Sequence, residues 1–207
     1  LNKNPFIVFE SNKLYSNQIP NWVLDFIKKE NLLAEPKVVS MIIEYLGNDL
    51  EKIANEIKKI KSLVKNQKIT DLDVEKYIGI SRQYNNFELQ DSIANKNYKQ
   101  ALQIISYFSK NSAENPFVLT IGMLYMYFSK LIIYHTLLDK SKKSVSIALK
   151  INPFFTQIYY IGANNYSFEK CIQVIKILKD MDLKSKGVYP GFSKTSFNEL
   201  VFRIIHE

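Results

Sequence analysis

Few residues in this chain are equipped for chemistry. The two histidines, His135 and His206, fall on separate predicted helices, and one His per helix makes a poor zinc site. The single cysteine, Cys171, shares an apolar stripe with Phe168 and Ile175. That places it in a core rather than as a nucleophile. Asp180 and Asp182 are two apart, which on a helix points them about 200° from each other. They form no carboxylate pair for acid–base work. The phosphate-binding, serine-hydrolase and zinc-protease motifs are all absent. Two polar stretches remain, GISRQYNNFEL (79–89) and LKSKGVYPGF (183–192). The first holds a Ser81-Arg82 pair that invites comparison with a catalytic arginine. The second holds Lys184 and Lys186, placed to meet phosphates, and Tyr189 and Phe192, able to stack on a base; such stacking is worth about 1–3 kcal/mol per base.

The composition narrows the function classes. The chain has 207 residues, 46% of them apolar, so a substantial core is expected. The formal net charge is +8, unevenly spread. Residues 1–80 carry 12 Lys against 11 acids, a balance of +1, whereas residues 81–207 carry 14 Lys and 2 Arg against 9 acids, a balance of +7. A basic C-terminal part suits nucleic acid or an acidic protein. One cysteine allows no intrachain disulfide, which fits a reducing cytoplasm. The start LNKNPFIVFE has no signal-peptide pattern. Phe6 to Phe9 read as a strand at the very beginning, so the chain is expected to be part of something longer.

Helical period governs almost everything after residue 19. Trp22, Val23, Phe26 and Ile27 make one stripe after Pro20. Val38, Val39, Ile42, Ile43 and Leu46 make a second, opened by Pro36 and closed by Gly47. Leu50, Ile53, Ile57, Ile60 and Val64 make a third, with Asn48 and Glu51 spaced as a capping box. Thr70 and Asp73 open a fourth that ends near Gly79. Seven more follow: one over Phe87–Ala94 capped by Asn85 and Glu88, one after Asn97, a long one capped by Asn115 with Pro116 at its first position, one around Val145–Leu149, one carrying Phe154, Phe155, Ile158 and Ile161, one after Ser167 and one from Ser196. The prediction is an all-α chain: a short strand, a small bundle of four helices, a connection, and a larger bundle of seven. Phe117 to Leu138 is long enough to cross a bilayer, but Lys130, His135, Thr120, Ser129 and Thr136 fall inside it. It reads as a central bundle helix. Such a helix is expected to be hidden among its neighbours. Apolar residues on two faces of any one helix mean core on one side and an interface on the other, with the two sides left open.

The order of these pieces resembles the delta subunit of the bacterial DNA polymerase III clamp loader, without most of its N-terminal ATPase-like domain. The stretches that carry the likeness are VFESNKLYSNQIPNWV (8–23), YLGNDLEKIANEIKKI (45–60), NNFELQDSIANKNYKQALQII (85–105), NPFVLTIGMLYMYFSKLIIYH (115–135), and INPFFTQIYYIGANNYS (151–167) through LKDMDLKSKG (178–187). The resemblance implies a last strand of the ATPase-like domain in 1–18, a helical lid in 19–80 and a helical collar in 81–207. It implies a non-catalytic subunit without cofactor or metal, part of a DNA-directed DNA polymerase (a nucleotidyltransferase) in the cytoplasmic replisome. Its collar would associate with the other loader subunits, gamma/tau and delta prime, over primed DNA. The sliding clamp would be met only through the missing first domain. The resemblance also puts an aromatic near the primer end. Tyr189 is the nearest, with Lys184 and Lys186 beside it as candidate DNA contacts. The family's arginine finger lies ahead of the lid, whereas Arg82 lies after it. Gly79, Arg82, Tyr84 and Asn85 are therefore expected to form an interdomain hinge. The competing reading of the residues alone is a free-standing helical nucleic-acid-binding module.

Overall fold

The computed structural model describes residues 14, 18–64, 66–79, 81, 83–193 and 195–206. The expected N-terminal strand at Phe6–Phe9 and Arg82 lie outside the described residues. The described residues form an all-α protein, as expected, with eleven α-helices in two groups. The first group holds α1 (Ile19–Lys29), α2 (Pro36–Leu46), α3 (Leu50–Leu63) and α4 (Asp71–Ile78). The second holds α5 (Asn86–Ala94), α6 (Tyr98–Lys110), α7 (Phe117–Thr136), α8 (Lys142–Leu149), α9 (Thr156–Asn165), α10 (Phe168–Ser185) and α11 (Ser196–His206).

Local chemistry explains most of the boundaries. Thr70 and Asp73 form a reciprocal capping box at the start of α4. Gly79 ends that helix in the left-handed region at φ 94. Asn85, Asn97 and Ser167 cap α5, α6 and α10 through their side chains. Two expected starts shift. The cap of α3 is Asp49, whose carboxylate accepts from the Lys52 N–H at 3.0 Å, rather than Asn48. Pro116 keeps extended backbone, so α7 begins at Phe117. A 3₁₀ turn over Pro153–Phe155 precedes α9, where the apolar pattern suggested one continuous helix. A two-residue parallel pairing, β1 (Leu33–Ala34) with β2 (Lys68–Ile69), ties the loops of the first group together. No period of that length is visible in a sequence.

Each group has its own core. Ile19, Val23, Ile27, Met41, Ile42, Ile53, Ile57 and Ile60 meet at the centre of the first. The second is built on α7, which packs against α10, α9, α8 and α5. Among the described residues α7 is the one helix long and apolar enough to span a membrane. Its buried face presents Phe117, Ile121, Leu124, Tyr127, Phe128 and Leu131 to the bundle. Burial of such side chains is worth about 1.5–3 kcal/mol each, so this contact organises the group.

Candidate functional site

Between α4 and α5, Ser81, Tyr84 and Asn85 are held by hydrogen bonds. The Ser81 hydroxyl accepts from the Tyr84 N–H at 3.1 Å, and the Asn85 amide donates to the Ser81 carbonyl at 2.9 Å. Asn85 is buried, and its Oδ1 accepts from the Glu88 N–H at 2.9 Å. Tyr84 stacks on Tyr107 with ring centroids 5.1 Å apart. The start of α5 is then gripped from outside. Glu44 of α2 accepts from the Asn86 N–H at 2.7 Å. Burial pushes its carboxyl above the usual carboxylate range, opposed by hydrogen bonds from Asn86 and the Phe87 N–H. A carboxylate at a helix N-terminus also meets the positive end of the helix dipole. Lys37, again from α2, pairs with Glu88 at 2.6 Å and lies over the Phe87 ring. From the other side the Thr120 hydroxyl of α7 donates to Asn86 Oδ1 at 2.9 Å. Tyr84 and Asn85 thus share one hydrogen-bonded turn with Ser81, while Gly79 bonds back to the Val74 carbonyl of α4 and lines the same cleft.

The second polar stretch is a loop that leaves α10 at Ser185 and returns at α11. Gly187 and Gly191 both take positive φ, which the reversal requires. Tyr189 is half exposed, and Phe192 packs on Phe117 at 5.0 Å. Lys184 and Lys186 flank this loop, but each already has an acidic neighbour. Lys186 pairs with Asp182 at 2.6 Å, one turn back on α10, and Lys184 lies 3.8 Å from Glu199 of α11. Of the three candidate DNA-contact residues, Lys184 thus lies in the last turn of α10, not in a loop, Lys186 caps that helix and Tyr189 is in the loop beyond, while the local charge of the lysines is nearly balanced.

The remaining candidates are structural. Cys171 is buried beneath the Tyr166 carbonyl, and burial pushes its thiol up to about 11, away from nucleophilic reactivity. The His135 ring sits 2.8 Å from that same carbonyl through Nε2. His206 packs edge-on against Tyr98. Among the described residues no three His, Cys, Asp or Glu side chains converge to hold a metal ion.

One further surface stands out. Opposite its buried face, α7 exposes Val118, Tyr125 and Ile133. With Gly122, Ser129 and Thr136 these recur every three or four residues along one side. A helix apolar on both faces has more apolar surface than its own bundle covers.

A family model of the DNA polymerase III delta subunit, C-terminal domain, matches residues 83–190, more than half of the chain. The chain belongs to that family. In fold it is similar to the Bacillus subtilis DNA clamp loader delta protein (YqeN), at a TM-score of 0.60 and 20% identity. The similarity covers 95% of this chain and 58% of that one. Comparison with curated protein sequences gives no match.

For this delta-family chain, reading the sequence missed the residues that fasten α5. Glu44 is far from Asn86 along the chain, and nothing near it marks it as a cap. Lys37 and Thr120 are equally remote. By contrast, Asp182 and Lys186 stand four apart on a helix, the spacing of an ion pair, and that signal was available in the sequence.

Proposed function

We propose that this chain is a non-catalytic clamp-loader subunit, with residues 19–80 as its lid and 81–207 as its collar. The observation that carries the reading is the outer face of α7. Val118, Tyr125 and Ile133 form an exposed apolar stripe on the helix that organises the larger bundle. Such a stripe suits side-by-side packing with an equivalent bundle of another loader subunit, gamma/tau or delta prime. Membership of the delta family supports that choice of partner. In this reading the assembly works in the cytoplasmic replisome, supports loading of the sliding clamp onto primed DNA, and gives this chain no chemistry of its own.

The direct experiment is co-purification of the other loader subunits with this chain. Tyr125→Glu with Ile133→Glu should abolish association while leaving the helical signal intact, because both side chains are exposed. Association unaffected by the pair would sink the collar reading. DNA binding by the isolated chain at modest salt, without association, would favour the free-standing module instead.

In the same reading Tyr189 approaches the primer end. Tyr189→Ala in the assembled loader should weaken primed-DNA binding by the loss of one stacking contact, about 1–3 kcal/mol. Lys184 and Lys186 are partly neutralised by Glu199 and Asp182. Removing both lysines should therefore lower the salt dependence by less than two full phosphate contacts. Gly79, Arg82, Tyr84 and Asn85 are the hinge about which the lid would turn, and Glu44 is the contact that such a turn must break.

A further inference from the structure

A cleft of about 580 Å³ opens where α1 and α2 face α7, α8 and the 3₁₀ turn. That volume lies within the range of ligand and side-chain binding sites. Its walls are largely apolar, formed by Met126, Ile147, Pro153 and Phe155. Met126 and Ile147 are both more than half exposed, so this surface is open to solvent.

The cleft is distinguished by its charge. Its charged lining residues are Lys130 and Lys150, with no carboxylate. Three other clefts on the molecule all carry acids: Asp71 and Glu88 in one, Glu44 and Glu114 in the second, Glu35 and Asp71 in the third. Lys130 is half-buried and has no hydrogen-bond or ion-pair partner among the described residues. Burial lowers its ammonium pKa below the usual lysine range, and no carboxylate opposes that shift. Lys150 ends α8 in the left-handed region at φ 52, where glycine is the ordinary residue. The approach is basic as well. Lys140, Lys142 and Lys143 stand before or within α8, and the one acid there, Asp139, is engaged by Ser141 and Ser144. Such a field steers anions towards the cleft.

We propose that this cleft docks an acidic peptide segment of a partner protein. A carboxylate meets Lys130, with Lys150 at the rim, and a flanking apolar side chain packs against Met126, Ile147 and Phe155. A recessed ammonium among apolar walls suits a carboxylate carried beside an apolar side chain. A nucleic-acid backbone instead tracks a row of exposed cations. Pro20, Asn21 and Ser40 close the cleft from the first group of helices, so an occupant touches both groups at once. The site does not rest on the clamp-loader reading. Its residues lie beside, and not on, the Val118–Tyr125–Ile133 line.

The test is methyl NMR of the full chain labelled at Met and Ile, titrated with acetyl-Leu-Glu-Phe-amide. The Met126 and Ile147 methyls should shift and saturate in the sub-millimolar to millimolar range, on the order expected for a short peptide, while the buried Met181 methyl stays put. Replacing the peptide Glu by Gln, or making Lys130→Met, should each weaken binding about tenfold, the loss of one charge-assisted hydrogen bond. Lys150→Gly, which relieves the backbone, should weaken it by a smaller factor. The proposal is overturned by the absence of saturable shifts or by equal affinity for the Gln peptide. It is also overturned by an oligothymidylate that moves the same methyls more tightly, or by shifts that follow protein concentration alone, which would assign the cleft to a second copy of the chain.

Discussion

The two groups of helices solve the packing problem in different ways. The buried core of the first is wholly aliphatic, with Ile, Val, Leu and one Met. The second buries Phe108, Phe117, Phe128, Tyr127, Tyr134, Tyr159, Tyr166 and Phe197. All the residues that are buried and polar among those described, Asn85, Ser92, Thr120, Thr156 and Ser196, belong to the second. Each has a partner. Ser92 donates to the Glu88 carbonyl at 2.7 Å, Thr156 to the Pro153 carbonyl at 2.9 Å, and Ser196 accepts from the Ser193 N–H at 2.9 Å. Tyr166 and Asn165 reach across to the last carbonyls of α5, donating to Ile93 at 2.8 Å and Ala94 at 2.8 Å. Aliphatic packing is non-directional and tolerates small shifts. Directional bonds in a low-dielectric interior fix one register, because leaving any of them unmade is expensive. The first group should adapt its shape, and the second should hold it.

The contrast breaks first at Gly162. This glycine lets α9 approach α7, and an added Cβ would fall 2.0 Å from the Tyr127 hydroxyl and 3.2 Å from Leu131. Gly162→Ala should displace Tyr127, lose its bond to the Ile158 carbonyl and cost about 2–3 kcal/mol in chemical denaturation. Adding Tyr127→Phe removes the clashing oxygen and should recover part of the loss. Gly122 on α7 has open space at the same atom. Gly122→Ala should therefore stabilise by up to about 1 kcal/mol through helix propensity. Two identical substitutions of opposite sign would locate rigidity in the α7–α9 contact, and equal effects would remove that claim.

Next in size is a pair of minimal deletions, one in each core. Tyr166→Phe removes the side-chain hydrogen bond to the Ile93 carbonyl, which still accepts from the Lys96 N–H at 2.9 Å, and should cost about 0.5–1.5 kcal/mol. Ile57→Val, at a fully buried site in the aliphatic core, removes one methylene for about 1 kcal/mol. The sharper difference is in amide exchange. Tyr166→Phe should lower protection at the end of α5, far from residue 166 in sequence, whereas Ile57→Val should act within its own group.

Glu44 joins the two regimes, since a residue of the adaptable group caps a helix of the rigid one. Glu44→Ala leaves the Asn86 N–H unpaired and should cost about 1 kcal/mol, whereas Glu44→Gln can still accept and should cost less. The raised carboxyl pKa adds a pH signature. The folded state keeps its proton above the ordinary value of 4.5, so stability is greatest below that value and falls as pH rises through the folded pKa. Glu44→Gln should flatten this part of the pH–stability profile. An unchanged slope would mean that the carboxyl is effectively solvated.

What was readable in advance follows the range of the interactions. Caps such as Thr70 with Asp73 and Asn85 with Glu88 are local, so three-residue spacing reveals them. The slip from Asn48 to Asp49 arose where two adjacent residues can both cap. The apolar stripes placed every helix, yet could not say that Val118, Tyr125 and Ile133 of α7 face outward, because both of its faces are apolar. Glu44, Thr120 and Tyr166 act across distances that leave no periodic trace. The stretch 183–192 was found by its composition, but its first three residues continue α10, and the acids that engage its lysines, Asp182 and Glu199, lie outside it.

The smallest expected effect comes from the polar group that breaks the rule of the second bundle. Lys130 is half-buried on α7 of a bundle whose buried polar side chains are satisfied, yet it has no partner among the described residues. Its depressed pKa means that holding the charged form in place costs folding free energy at neutral pH. That cost is relieved only as pH climbs from the folded pKa towards 10.5. Lys130→Met keeps most of the side-chain volume and removes the charge. It should raise thermal stability at neutral pH by no more than about 1 kcal/mol, discounted for the exposed part of the side chain, and the gain should shrink at alkaline pH. A loss of stability instead would mean that Lys130 already has a favourable electrostatic partner. The cation would then be structural, and its cleft would have no unspent charge to offer an acidic segment.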